Sequence, residues 1–233
     1  MRLNKYLAHS GIASRRKSDE LIQMATTEVN GRICLDPAYN VMPKDRVYFD
    51  GKKIFPIQEK IVLILNKPKG VITTVKDTHG RKTVIDFVPY NVKLSPVGRL
   101  DKNTTGLLLL TNDGELQHYL THPKNNIPKD YEVIIEGKLE EKSINRIKKG
   151  IYIGDKEYGR AEITKKEFYK NTSLLTLRLR TGKKREIRRI FFRLNKKVIS
   201  LKRIALSNQK LGSLKEGEYR QLTQKEIKSL YKP

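Results

Sequence analysis

The stretch Gly98-Arg99-Leu100-Asp101-Lys102-Asn103-Thr104-Thr105-Gly106 holds one acid in a loop with a glycine at each end. A carboxylate placed this way can serve as a nucleophile or a base. It can equally brace the loop by accepting from nearby backbone N–H groups. Residue types alone favour the bracing role. Two other stretches carry reactive groups. Lys129-Asp130-Tyr131 sets a tyrosine at the start of an apolar run, and Gly182-Lys183-Lys184-Arg185-Glu186-Ile187-Arg188-Arg189 crowds cations around a single acid. Taken by itself, Tyr131 reads as a half-buried strand aromatic. His118 and His122 stand at i, i+4 spacing, which can ligate a metal. No Cys or acid at ligand spacing accompanies them, so the expectation is a packing or surface role and no metal.

The elements around these residues follow from pattern. Leu107 to Leu110 is a leucine run bounded by turn signals, which suits a fully buried strand. Asn112-Asp113-Gly114 ends it. Asp101 therefore sits at the mouth of a buried strand, where a scaffold presents a reactive group. Ile61 to Leu65 reads as a central strand. Asn66-Lys67-Pro68-Lys69-Gly70 reads as a turn whose lysines can reach phosphates, leading to a strand over Val71 to Val75. Asp77 to Thr83 is a polar loop and Val84 to Val88 a short buried turn or helix. A helix is expected over Glu115 to Thr121, a strand over Lys129 to Ile135, and an amphipathic helix over Glu140 to Lys149 ended by Gly150. Ile151 to Ile163 has the glycine punctuation of a hairpin. Leu175, Leu177 and Leu179 alternate with Thr176, Arg178 and Arg180, giving a strand with one oily and one basic face. Ile187, Ile190, Phe191 and Leu194 fall at i, i+3, i+4 and i+7, giving a helix over Lys184 to Leu194 with one buried face. Val198 to Leu206 is a further strand. Thr223-Gln224-Lys225-Glu226 is a capping box for the last helix.

Residues 1–55 read as a separate small unit. Arg2 to His9 and Arg15 to Ala25 are helices, the second capped by Ser14. Val29-Asn30-Gly31-Arg32-Ile33 is a hairpin, since Asn-Gly suits a type I′ turn. Val47 to Phe49 is the last strand, closed by Asp50-Gly51. Residues 56–60, with Pro56, form the linker to a second unit over 61–233.

The 233 residues carry a net charge of +24. So basic a folded chain implies a polyanionic partner. Between residues 178 and 203 there are twelve cations and one acid, Glu186. Such a patch repels itself, and binding phosphates relieves the repulsion. No apolar run is long enough to span a bilayer, and MRLNKYLAHSG lacks the apolar core of a signal peptide. The single cysteine, Cys34, leaves no internal disulfide and fits a reducing cytosol. The expected location is cytoplasmic, with no membrane partner. No fixed-period repeat is visible.

Gly-Arg-Leu-Asp, two residues, Thr, one residue, Gly and a leucine run closely resembles the signature of RNA pseudouridine synthases. The Asn-Lys-Pro-x-Gly step at 66–70, Lys-x-Tyr at 129–131 and Gly-x-x-Arg-Glu-Ile-Arg-Arg at 182–189 resemble further motifs of that family, in family order. Two helices with a basic turn and a small sheet bearing Val-Asn-Gly resemble the S4 RNA-binding domain, whose RNA-facing part would be Ala13-Ser14-Arg15-Arg16-Lys17. S4 domains usually place a Gly-Arg-Val-type step before Val-Asn-Gly. Here Ala25-Thr26-Thr27-Glu28 loses a cation there and gains an acid. The whole is similar to the ribosomal RNA branch with an N-terminal S4 domain, and Ala13 to Ser18 with Gly106 to Gly114 lean towards large-subunit members.

The resemblance implies an α+β fold: a small S4-like RNA-binding domain followed by a synthase domain with a long mixed or antiparallel sheet and a central cleft. It implies that a ribosomal RNA uridine is isomerised to pseudouridine, with Asp101 the catalytic carboxylate acting on a flipped-out nucleotide. Asp101 could attack sugar or base, or remove a sugar proton. Tyr131 would lie against the base, and Arg188 would pair with Asp101. Arg188 and Arg189 sit about 100° apart on a helix, so both cannot point into one cleft. Isomerisation changes no oxidation state and imports no group, so no cofactor is expected. The expected RNA contacts are Arg2, Lys5, Arg15, Arg16, Lys17, Lys67, Lys69, Arg99, Lys183, Lys184, Arg185 and Arg189, in a monomer. Alternatives are a small-subunit RNA target and a non-catalytic basic assembly factor, against which intact Asp101, Tyr131 and Arg188 speak. A glycoside hydrolase would need a second carboxylate near Asp101 and explains neither the charge nor the S4-like unit.

Overall fold

A computed structural model describes residues 1–57, 59–88 and 92–231. They divide into two compact units, Met1–Lys60 and a second that begins at Ile61. Among the described residues no helix is long and apolar enough to cross a membrane.

In the first unit α1 (Leu3–His9) and α2 (Arg15–Gln23) precede a small antiparallel sheet. Ser14 caps α2, its Oγ accepting from Lys17 N at 3.3 Å. Strands β1 (Thr27–Val29), β2 (Arg32–Ile33), β3 (Val47–Phe49) and β4 (Lys52–Lys53) lie in the order β2-β1-β3-β4. Asn30 and Gly31 take φ of 54° and 80°, as the β1–β2 hairpin turn requires. Leu3, Leu7, Ile22, Val29, Val41 and Val47 form the core. The sheet runs one strand further than the pattern suggests, because Asp50-Gly51 turns the chain back and pairs Lys52 with Phe49. Of the expected linker, Ile57 N donates to His9 O at 2.9 Å, and Gln58 lies outside the described residues.

The second unit is built on one large sheet. Its elements in order are β5 (Val62–Lys67), β6 (Ser95–Pro96), β7 (Thr105–Thr111), α3 (Gly114–Thr121), β8 (Lys129–Glu136), α4 (Glu141–Lys149), β9 (Ile151–Gly154), β10 (Glu157–Gly159), β11 (Glu162–Tyr169), β12 (Thr172–Leu179), α5 (Glu186–Arg193), β13 (Val198–Leu206), β14 (Gln209–Lys210), β15 (Tyr219–Gln221) and α6 (Gln224–Ser229). The sheet runs β11-β12-β8-β13-β7-β5-β15, with β6 on β7 and β14 on β13. Strands β13 and β7 pair in parallel and their neighbours antiparallel, so the sheet is mixed. The fold is α+β.

The leucines of β7 are fully buried between β13 and β5. Val133, Ile135, Leu175, Leu177 and Leu179 on one sheet face pack against Ile187, Ile190 and Phe191 of α5. Alternation places Lys129 and Tyr131 on that same face of β8. Asp113 ends β7 and caps α3, accepting from Glu115 N at 3.0 Å and Leu116 N at 3.2 Å.

Two elements differ from the pattern. Strand β5 continues through Asn66 and Lys67, both buried, before the Pro68 turn. Val71 to Val75 is not a strand: Ile72 makes one bridge, to Thr83. The segment serves the Asp101 loop instead. Thr73 Oγ1 donates to Leu100 O at 2.8 Å and accepts from Leu100 N at 3.2 Å, and Gly70 N donates to Lys102 O at 2.9 Å.

Candidate active site

A cleft of about 770 Å³ opens over the sheet, lined by Asp101, Arg99, Lys129, Tyr131, Arg185 and Arg203 among others. One strand brings its two sides together. On β13, Arg203 stands opposite Gly106 of β7 on one side and opposite Tyr131 of β8 on the other. The strand bulges against β8 immediately after Arg203, a device that re-aims side chains beside sites. Asp101, five residues before Gly106, and Tyr131 are thus tied to one register.

The Asp101 side chain is 40% exposed, and its Oδ2 lies 3.8 Å from Arg185 Nη1. The ion pair is made by Arg185, and among the described residues Arg188 makes none with Asp101. Arg185 precedes α5 with a left-handed φ of 51°, which turns its side chain to the cleft. Arg188, one helical turn on, instead donates from Nη2 to Asn103 O at 3.2 Å. Its Nε is buried without a partner among the described residues. Burial first, then the Arg185 cation, pushes the Arg188 guanidinium below its usual range, and the Asp101 carboxylate pulls it back up. Arg188 is therefore within the field of Asp101 and holds its loop by the backbone.

Lys67, expected to contact RNA, is fully buried. Its Nζ donates to Pro68 O at 2.9 Å, Thr104 O at 3.0 Å and Lys102 O at 3.4 Å. It is a clamp beneath the Asp101 loop, with no surface to offer a phosphate. Burial lowers it to about 8, against the opposing pull of Asp101 and Glu216.

Arg189 is likewise spent inside the fold. It donates to Ile153 O at 2.9 Å, Gly154 O at 2.9 Å, Glu157 Oε2 at 2.6 Å, Asp155 Oδ2 at 3.0 Å and Lys184 O at 3.3 Å. All but the bond to Lys184 latch the β9–β10 hairpin to α5, so the donors of Arg189 are engaged within the fold. Glu186 is 4% exposed and accepts from Thr181 Oγ1 at 2.8 Å and Lys183 N at 3.1 Å. It anchors the turn that presents Arg185.

The remaining cations stay at the surface. Arg2, Arg15, Arg16, Lys17, Lys69, Arg99, Lys184 and Arg185 are exposed, and Lys5 and Lys183 half-buried. Lys183 Nζ donates to Tyr158 O at 2.6 Å. His118 and His122 meet ring to ring, 4.9 Å between centroids, and among the described residues no cluster of three metal-ligating side chains occurs.

Two cleft cations were not expected. Lys129 is half-buried and gives its Nζ to Ile127 O at 2.9 Å. Burial, then the Arg203 cation, lowers it to about 8, with Glu186 opposing. Arg203 is 3% exposed. Its signal was a basic residue at an inward position of an alternating strand, Leu201-Lys202-Arg203.

Comparison with known proteins agrees with this architecture. Residues 61–192 match the RNA pseudouridylate synthase family, and residues 1–47 match the S4 domain. An uncharacterized RNA pseudouridine synthase of Aquifex aeolicus (strain VF5) is 39% identical, the match covering 100% of this chain and 94% of that protein. The ribosomal large subunit pseudouridine synthase B of Bacillus subtilis (strain 168) is 37% identical over 98% of this chain and 95% of its own. A pseudouridylate synthase crystal structure superposes with a TM-score of 0.70 at 32% identity, covering 99% of both chains. With its S4 domain, its mixed sheet and its cleft, the chain belongs to the RNA pseudouridine synthases and is an isomerase that modifies RNA.

Proposed function

We propose that this enzyme isomerises one uridine of large-subunit ribosomal RNA, with Asp101 as the catalytic carboxylate and the target nucleotide flipped into the cleft. The observation that carries the reading is the meeting of Asp101, Arg185 and Tyr131 around one cleft. A base inside a duplex cannot reach such a cleft without leaving its stack. Arg185, at 3.8 Å, is the ion-pair partner of Asp101 and sets a fixed cation beside it. Arg188 fixes the loop through Asn103 and adds positive field. Tyr131 offers a ring face to the uracil. The large-subunit target is supported by the 37% identical relative named for that RNA. The exposed Arg15, Arg16 and Lys17 at the start of α2 suit phosphate contacts.

The test has two arms. Sequencing ribosomal RNA for pseudouridine with and without the gene identifies the site, and the missing signal should fall in large-subunit RNA. Asp101→Asn should abolish isomerisation and leave RNA affinity close to wild type, since removing a negative charge does not weaken binding to a polyanion. Wild-type turnover in the Asn variant would end the assignment.

A further inference from the structure

The guanidinium of Arg203 is enclosed under the cleft with spare donors. Its Nε donates to Leu107 O at 2.7 Å. Among the described residues neither Nη group has a partner, and Nη2 is sealed from solvent. Arg203 faces Tyr131 across the β13–β8 pair, and side chains so opposed have Cβ atoms about 5 Å apart. Lys129, two residues before Tyr131 on the same face, has the Ile127 carbonyl as its one hydrogen-bond acceptor among the described residues. The acid whose field reaches Lys129 is Glu186, and its oxygens are already bonded to Thr181 and Lys183. Two cations and one committed acid thus stand at the floor beside Tyr131. A buried donor left without an acceptor is costly, and a buried charge more so. Arg203 lines the cleft, and Nη1, which is not sealed as Nη2 is, is the donor that an acceptor bound there can meet.

Resting on the reading of Asp101 and Tyr131 given above, we propose that Arg203, with Lys129 beside it, forms a subsite for the carbonyl edge of the uracil ring and stabilises the negative charge on the base between its release and its reattachment. When N1–C1′ breaks, the bonding pair stays with the base, which becomes an anion spread over N1 and its carbonyl oxygens. C5 then bonds to C1′, C5 loses a proton, and N1 gains one. Atoms and electrons balance with no co-reactant. Fixed donors aimed at charge that develops during reaction need no reorganisation, which makes them strong catalysts. Arginine suits the task because it cannot pass its proton to the base. A backbone phosphate could use the same donors, and the test separates it from the base.

Full-length protein is given two RNAs, carrying uridine or 5-fluorouridine at the site mapped by the sequencing above. Single-turnover loss of the N1-linked nucleoside is followed for wild type, Arg203→Met, Arg203→Lys, Lys129→Met and Asp101→Asn. Fluorine withdraws electrons, stabilises the detached base anion and lessens its need for an outside cation. Arg203→Met should slow the uridine reaction by about 100-fold and the 5-fluorouridine reaction by about 10-fold, with RNA affinity changed by less than about threefold. Lys129→Met should shift the ratio the same way by less. The ratio between the two RNAs in one sample does not depend on how much protein is folded, and Arg203→Lys supplies it where the Met variant fails to fold. Equal slowing on both RNAs, or a loss confined to affinity as a phosphate contact would give, overturns the subsite. Activity of Asp101→Asn on uridine would instead overturn the reading beneath it.

Discussion

A Cβ added to Gly106 would lie 2.2 Å from the carbonyl oxygen of Arg203 and 2.8 Å from its nitrogen. Gly106 also has a φ of +99°. Strands β7 and β13 approach this closely only because residue 106 has no side chain, and that approach draws the Asp101 loop towards Tyr131.

Gly106→Ala should therefore part the two strands. Backbone atoms cannot step aside as a flexible side chain can, so the loss of stability should be about 3 kcal/mol or more. Urea unfolding measures it, together with turnover at a temperature where the variant is folded. A wild-type midpoint and rate would show that the strands separate freely.

Lys67 ties stability to pH. Its folded value of about 8 lies below the ordinary 10.5. Below about 8 the amine is protonated in both folded and unfolded chains, and the burial penalty is fully present. Between about 8 and 10.5 the unfolded chain binds more protons, so stability rises with pH as the penalty is relieved. Lys67→Met should show a smaller rise across that window than wild type. It should also lose turnover at neutral pH, because the Pro68, Lys102 and Thr104 carbonyls lose their common donor. Parallel stability curves for the two proteins would contradict the first expectation, and wild-type turnover the second.

The three arginines around α5 should separate by readout. Arg185→Ala removes the ion-pair partner of Asp101, and Arg188→Ala frees the loop at Asn103. Both should cost turnover more than RNA affinity. Arg189→Ala breaks the bond set that holds the β9–β10 hairpin and should lower stability by about 2 kcal/mol, with RNA affinity little changed. Single-turnover rates, affinities and unfolding midpoints for the three variants decide this. Loss of affinity in Arg189→Ala without loss of stability would restore its role at the RNA.

Local pattern made much of this legible. Leucine runs and alternation disclosed β7, β8, β12 and β13, and the i, i+3, i+4, i+7 apolar positions disclosed α5, because each must bury a face. Strand β11 was hidden because it is a sheet edge whose Lys165, Lys166 and Glu167 carry the charge that edges use against further pairing. A lysine before Pro-x-Gly looks like turn surface, whereas three carbonyls from two loops converge on Lys67. The Arg185 to Asp101 contact depends on a left-handed residue ahead of α5, and the juxtaposition of Arg203 with Tyr131 on cross-strand register. Neither leaves a trace in local residue types.

Ala25 has a φ of 59°, and it stands where S4 domains usually carry glycine. The left-handed conformation costs an L residue about 1 kcal/mol, while glycine takes it freely. Ala25→Gly should raise the stability of the first unit by several tenths of a kcal/mol to about 1 kcal/mol, after the entropy lost by ordering glycine. A thermal melt of the full chain, read on its first-unit transition, checks the sign. A lower melting temperature would show that the alanine methyl has a contact worth more than the strain.

Arg15, Arg16 and Lys17 open α2, where the helix dipole favours anions and not cations. Lys17 has a local partner in Glu20 at 2.7 Å, and Arg15 and Arg16 have no ion pair among the described residues. Changing all three to Ala should leave stability unchanged or raise it by a few tenths of a kcal/mol per cation. If this turn docks phosphates, the same change removes two to three contacts. The slope of log K against log salt should then flatten by about two to three, since each phosphate neutralised contributes roughly one. Affinity for RNA at low salt should fall with it, and turnover at saturating RNA should not. The opposed signs keep the result readable, because a misfolded variant would lose stability as well. An unchanged salt slope in a stably folded triple variant would show that RNA docks elsewhere on this basic chain.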